Sequence, residues 1–233
     1  MSFELRELQE IVYQCNLDLF RQGLVIYTFG NVSAMDRDRG VIAIKPSGVS
    51  YELMRPEDMV VLDIAGKAIL GTMRPSSDTQ THLVLYRKFP EISGIAHTHS
   101  TYAVAWAQAG RSIPVYGTTH ADHLHVDIPC TPFMTEQAIQ GQYEIETGNL
   151  IVEKMRDNSV SQVEMILVAG HGPFTWGATP QKAVHNSVVL EQVAKMAMLT
   201  EQINPKVQRL GETLIQKHFF RKHGPDAYYG QKD

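Results

Sequence analysis

Gly94-Ile95-Ala96-His97-Thr98-His99-Ser100 is an apolar run closed by two histidines with one residue between them. In an extended strand alternate side chains share a face, so both imidazoles can reach one ion. A catalytic zinc usually takes three protein ligands and keeps a position open, so this pair calls for one more donor. A second apolar run, Met165-Ile166-Leu167-Val168-Ala169, leads into Gly170-His171-Gly172-Pro173 and repeats the sequence of strand, corner and histidine. His171 is therefore the third candidate ligand. A rival pair, His123 and His125, stands in His120-Ala121-Asp122-His123-Leu124-His125. No apolar strand feeds that pair, which favours His97 and His99.

Composition narrows what surrounds this motif. At 233 residues the chain is long enough for one sizeable core, and a single domain spanning residues 1–233 is expected. Hydrophobic residues make up 43% and charged residues 20%, the balance of an ordinary globular protein. A net charge of -4 and a pI near 6.2 argue against a nucleic-acid surface, because no basic face dominates. Cys15 and Cys130 are too few for a disulfide framework. The first residues hold no basic segment followed by an apolar core, and no apolar stretch approaches the ~20 residues that cross a bilayer. The expected compartment is the cytoplasm.

Residues 4–22 carry Leu5, Leu8, Ile11, Val12, Cys15 and Leu19 at helical spacing, with Gly23 at the expected stop. Val41-Ile42-Ala43-Ile44 reads as a strand running into Lys45-Pro46-Ser47-Gly48, and Thr28-Phe29-Gly30-Asn31-Val32-Ser33 as a loop of small residues. Such loops either aim N–H groups at an anion or are ordinary turns. Met59 to Leu62 and Ala68 to Leu70 read as a hairpin across Ala65-Gly66-Lys67. Arg74-Pro75-Ser76-Ser77-Asp78-Thr79 precedes a helical pattern of Leu83, Leu85, Tyr86 and Phe89, so Ser76 or Ser77 is expected as its N-cap. The same hydroxyls at a helix start suit a phosphate equally well.

Residues 100–109 and 145–155 read as helices, and Thr179-Pro180 opens a long one. Residues 117–122 and 128–132 are rich in turn formers, and Asp122 is the carboxylate of the first of these segments. Lys217 to Lys222 reads as a solvated basic helix end. The aromatic tail Tyr228-Tyr229 is expected to dock, on its own core or on a neighbouring subunit. Helices interspersed with short strands predict an α/β fold, a central antiparallel or mixed sheet flanked by helices.

Taken together and in order, Lys45-Pro46-Ser47-Gly48, Pro75-Ser76-Ser77-Asp78-Thr79, His97-Thr98-His99, Gly117-Thr118-Thr119-His120-Ala121-Asp122, His171-Gly172-Pro173 and Tyr228-Tyr229-Gly230-Gln231 resemble the motifs of the class II aldolase/epimerase superfamily. Within it they are similar to the L-ribulose-5-phosphate 4-epimerases. The resemblance implies a mostly antiparallel sheet in a three-layer α/β domain. It also implies a zinc-dependent cytoplasmic homotetramer that interconverts L-ribulose 5-phosphate and D-xylulose 5-phosphate by breaking and remaking the C3–C4 bond.

By the same resemblance His97, His99 and His171 would hold the metal, with Asp78 either a further ligand or an acid/base. Manganese or cobalt could replace zinc on such ligands. Gly30, Asn31, Lys45, Ser47, Gly48, Ser76 and Ser77 would hold the phosphate, and the resemblance tips Ser76 and Ser77 from capping toward that role. Asp122 would serve one face of C4 and Tyr229 of an adjacent subunit the other. A free tyrosine titrates near about 10, so a nearby cation would have to lower that for it to act as a base. Thr118, Glu144 and His218 would line the site or position the phosphate. The sequence departs from the epimerases after Asp122, where His123-Leu124-His125 replaces aromatic residues, and at Val168-Ala169-Gly170 before His171. Two alternatives remain at this stage: an aldolase for a fuculose- or rhamnulose-type phosphate, and a metal-binding homologue without catalysis.

Overall fold

In the computed structural model, which describes residues 2–223 and 227–229, the expected first helix is α1 (Ser2–Arg21). Leu5, Val12, Cys15 and Leu19 are its buried stripe, and Gly23 follows with a φ of +68°. The strands are β1 (Asn31–Asp36), β2 (Val41–Ile44), β3 (Val60–Asp63), β4 (Ala68–Leu70), β5 (Gly94–His97), β6 (Met165–Val168) and β7 (Gly172–Gly177). Among the described residues they form one seven-stranded sheet in the order β4-β3-β2-β1-β5-β7-β6, and every pairing is antiparallel.

Alternation along each strand divides the core in two. Ile42, Ile44, Val60, Leu62 and Ile95 point to one face, where they meet α2 (Thr79–Lys88), α3 (Thr101–Gln108) and α6 (Tyr143–Lys154). Val41, Ala43, Val61 and Ala96 point to the other, against α1. The long helix α7 (Pro180–Ile203) contributes Ala183 and Val184 to the second cluster and Leu190, Val193, Ala194 and Ala197 to the first. Its start lies directly over β5: a Cβ on Gly94 would come within 2.3 Å of Pro180. The fold class expected from sequence is therefore the one observed, with the sheet purely antiparallel. No helix among the described residues is long and apolar enough to cross a membrane.

Several elements differ from the sequence reading. The central strand β1 begins at Asn31, inside the loop expected at residues 28–33, because the polar Asn31 and Ser33 face side-chain partners at the start of α2 and along it, and so can be buried. β7 follows His171 directly although it contains Pro173; the proline carbonyl still accepts from the Thr98 amide at 3.5 Å. The first turn-rich region holds a short helix, α4 (Thr118–Ala121), and another, α5 (Glu136–Gln140), follows the second. Asp78, not Ser76 or Ser77, occupies the N-cap position of α2. The basic run on α8 (Glu212–His223) is not merely solvated, since His218, Arg221 and Lys222 all turn toward Asp122.

Antiparallel register brings distant motifs to one end of the sheet. Asn31 at the start of β1 pairs with His97 at the end of β5, and His97 pairs in turn with Phe174 near the start of β7. Ile44, which pairs with Ser33, hands the chain on to Lys45 at the same end.

Candidate active site

His97, His99 and His171 meet at that end of the sheet, each offering a ligand atom within 4.8 Å of the other two. Among the described residues no other set of three or more His, Cys, Asp or Glu side chains does so. His97 is buried on β5, His99 lies two residues beyond the strand and is exposed, and His171 is half-buried in the β6–β7 turn. Nδ1 of His97 lies 2.9 Å from the carbonyl of Pro173, an acceptor only, so Nδ1 carries the ring proton. Nε2 points the other way and faces Nε2 of His99 at 3.1 Å. Burial pushes His99 below its ordinary value and His171 down to about 4, so these rings are neutral at neutral pH and ready to donate lone pairs. A fixed tautomer, neutral rings and converging nitrogens fit a divalent ion with His ligands.

Asp78 sits beside the triad. At the N-cap an aspartate normally accepts from the first amides of its helix. Here the carboxylate makes no such bond and instead takes Nδ2 of Asn31 at 2.7 Å, with Oγ of Ser76 at 3.5 Å. Burial opposes its ionisation, but the imidazoles of His97, His82 and His171 and the Asn31 amide overcome this and hold it below the usual carboxylate range. Nδ2 of Asn31 also reaches Oγ of Ser76 at 3.1 Å, so its donors are committed within the protein.

The triad opens into a cavity of about 370 Å3 lined by Gly30, Asn31, Lys45, Ser47, Gly48, Ser76, Ser77, Asp78, His99, Glu144 and His171. Every residue expected at the phosphate is thus in one pocket. Gly30 has a φ of +76°, and a Cβ there would lie 2.8 Å from the carbonyl of His97, so only glycine lets this loop pass the end of β5. Lys45 is 1% exposed and has no carboxylate partner among the described residues. Its Nζ donates to the carbonyls of Val49 at 2.8 Å, Pro46 at 3.3 Å and Thr28 at 3.4 Å, and burial pushes it down to about 8. Such a cation lacks a counter-charge that an entering anion would supply.

Tyr143 also lines the pocket, and its hydroxyl lies 3.5 Å from Nδ1 of His171. Burial and the charges of Asp78 and Glu144 raise it. Sequence reasoning passed over it; its place beside Glu144 at a helix start was the available signal. Phe29 forms the rim, its ring 6.0 Å from that of His99.

Asp122 and Tyr229 are absent from this lining and gather elsewhere on the same chain. Asp122 accepts from Arg221 at 2.7 and 3.0 Å and lies 2.9 Å from Nδ1 of His218. Burial would raise it, but the Arg221 and His218 hydrogen bonds and the Lys222 charge hold it below its ordinary value. The Tyr228 and Tyr229 amides donate to the carbonyl of Arg221, and Arg221 and Lys222 lie over the Tyr229 ring. Gly230 and Gln231 of the tail motif lie outside the described residues. Thr118 is on α4, its carbonyl accepting from the Asp122 amide at 2.8 Å, and does not line the pocket. The rival histidines serve packing: His125 packs on Phe219, and His123 faces His185.

A model of the class II aldolase and adducin N-terminal domain matches residues 10–198, and the chain belongs to that family. Among solved structures it is similar to an L-fuculose 1-phosphate aldolase, 23% identical over 91% of this chain and 94% of that one, with a TM-score of 0.76. An L-fuculose 1-phosphate aldolase from Glaciozyma antarctica is 18% identical, over 93% of this chain and 81% of that one, at a TM-score of 0.75. One from Thermus thermophilus is 23% identical, over 87% of this chain and 98% of that one, at a TM-score of 0.65. At these identities the likeness establishes the fold. Family and triad together are consistent with a divalent metal such as zinc.

Proposed function

We propose that this protein is a sugar-phosphate epimerase acting on L-ribulose 5-phosphate and D-xylulose 5-phosphate. The observation that carries the reading is the convergence of the histidine triad with the Ser47-Gly48 and Ser76-Ser77 loops and Lys45 on one pocket. A divalent ion held by His97, His99 and His171, zinc by preference, with Asp78 beside them, would supply Lewis-acid polarisation of the ketose oxygens.

The residues of the chain divide the remaining work. The proton on C4 of a 2-ketose is not adjacent to the carbonyl, so its removal gives no stabilised carbanion. Loss of the C4 hydroxyl proton to a base with cleavage of C3–C4 instead gives glycolaldehyde phosphate and the enediolate of dihydroxyacetone. The aldehyde turns over, C3 attacks its other face, and the new C4 oxygen recovers a proton. Through this turn the phosphate stays anchored by the hydroxyls of Ser47, Ser76 and Ser77 and the amides of Gly48 and Ser77, with Lys45 as its counter-charge. Asn31 holds the Asp78 carboxylate toward the triad. Two proton-transfer groups on opposite faces of C4 are required, and Asp122 and Tyr229 suit the task as a pair. They gather at α8 away from their own triad, which supports their delivery together into the pocket of a neighbouring copy in a homo-oligomer, a tetramer by family resemblance.

A second reading is an aldolase that releases the aldehyde, favoured by the absence of Asp122 and Tyr229 from the pocket of their own chain. Turnover of L-ribulose 5-phosphate by the zinc-loaded protein separates the two. Formation of D-xylulose 5-phosphate without free glycolaldehyde phosphate is expected; accumulation of the free aldehyde would replace the epimerase by the aldolase.

A further inference from the structure

Arg221 joins, within one chain, the two residues that the proposed reaction places on opposite faces of C4. It lies in the last turn of α8, where backbone carbonyls run out of helical partners. Its carbonyl is taken instead by the tail, accepting from the amides of Tyr228 at 3.0 Å and Tyr229 at 3.1 Å. Its guanidinium reaches 99 residues back in the sequence to Asp122, where Nε donates to Oδ1 at 3.0 Å and Nη2 to Oδ2 at 2.7 Å. The same guanidinium lies 4.8 Å from the centre of the Tyr229 ring.

The neighbours of this link do not duplicate it. Lys222 lies over the Tyr229 ring at 4.5 Å, but its Nζ stands 3.7 Å from Oδ2 of Asp122, and a point charge fixes no orientation. His218 touches Oδ1 alone, at 2.9 Å, and His223 meets only the Asp122 carbonyl, at 3.0 Å. Two parallel bonds from a planar fork set the plane of a carboxylate as well as its distance. The Asp122 and Arg221 side chains are 14% and 23% exposed, so water competes little for this pairing. Ile215 of α8 packs with Val115 and with Ala121, the residue before Asp122, which ties the two segments together from below. Tyr229 is 60% exposed, so its place depends on what holds its amide and its ring.

We infer that Arg221 is a positioning residue, binding Asp122 through its side chain and Tyr229 through its main chain, and so setting the spacing of the two before a neighbouring copy meets them. A bond cleaved and remade on opposite faces of one carbon needs both groups in register, and a misplacement of about 1 Å can cost on the order of 100-fold in rate. The inference rests on the roles proposed above for Asp122 and Tyr229.

Two measurements test it. In the first, 3-fluorotyrosine placed at position 229 is followed by fluorine NMR. Asp122→Ala is expected to shift that resonance, to shift it still in a Lys222→Met background, and to lose its effect in an Arg221→Met background. No shift in Asp122→Ala, or a shift that survives the loss of Arg221, would overturn the inference. Should Arg221→Met not fold, Arg221→Lys takes its place with the same expectation. The second is steady-state turnover of L-ribulose 5-phosphate by zinc-loaded Arg221→Met and Arg221→Lys, with thermal unfolding in parallel. Both are expected to lose about 100-fold in kcat with KM little changed, because lysine restores the charge but not the fork. Full recovery by lysine would reduce Arg221 to a charge and overturn the inference, as would losses that merely track unfolding. Wild type without turnover would fail the epimerase reading, and the fluorine measurement would still decide whether Arg221 couples the two residues.

Discussion

His97 and Pro173, 76 residues apart, are joined by a 2.9 Å hydrogen bond that sets the chemistry of the triad. The proline carbonyl accepts from Nδ1–H and so turns Nε2 toward His99. Replacing His97 by Ala is expected to abolish stoichiometric zinc binding and to lower turnover by more than the about 10–100-fold typical of losing an outer partner. Metal analysis with far-UV circular dichroism checks this; retained metal would move the site elsewhere.

Lys45 is expected to write itself into the pH profile. Protonated below about 8 in the free enzyme and neutral above, it should make kcat/KM for a phosphate substrate fall as pH rises through about 8. Lys45→Met should remove that limb and raise KM by an amount equivalent to about 1.5–3 kcal/mol, roughly 10–150-fold. The effect on folding has the opposite sense. Lys45 titrates lower in the folded than in the unfolded chain, so the unfolded state binds more protons between about 8 and 10.5, and the stability of the wild type rises with pH across that window. Below it, Lys45→Met should unfold at a higher temperature than wild type.

If Asp122 and Tyr229 serve a neighbour's pocket, damage on the two sides can be complemented. His97→Ala and Asp122→Asn should each be inactive alone. Co-refolded in equal amounts as mixed oligomers, they should recover activity in about one quarter of sites, those with both halves intact. Mixed oligomers without activity would place the whole reaction within one chain.

Asn16 splices α1 to the sheet. Its Oδ1 accepts from the Val32 amide at 2.8 Å, and Nδ2 donates to the carbonyls of Val12 and Val32 at 2.8 and 3.1 Å. Asn16→Ala leaves the buried Val32 amide without this partner and should lower unfolding free energy by about 2–3 kcal/mol in a denaturant titration. A change under about 0.5 kcal/mol would mean that solvent takes the place of the amide.

The histidine triad could be read in the sequence because two of its members end apolar runs, and the runs are strands. The serine and glycine loops, taken locally, suit an ordinary turn or a helix cap as well as an anion, and only their occurrence together in family order pointed to a phosphate. Other features exist only in three dimensions. Asn31 to Ser33 looks like a loop until Asp78, Ser76 and His82 supply partners for its polar side chains. The burial of Lys45 is one of these, since it depends on the carbonyls of Thr28, Pro46 and Val49 enclosing its ammonium. Ser76 looks like a helix cap, yet Asp78 takes the position and turns its carboxylate away. The basic residues of α8 look solvated because Asp122, their partner, lies about a hundred residues earlier in the chain.

The strand order also governs how this site comes into being. β1 to β4 pair as sequential neighbours and can assemble early from local contacts. His97 waits at the end of β5, with His99 just beyond it, and β5 must insert between β1 and β7, closing one long loop on each side, before these two meet His171 in the β6–β7 turn. The three imidazole nitrogens therefore converge only when the least local pairings of the sheet are complete. During refolding, the appearance of zinc affinity would time the last step of the molecule's assembly rather than its first.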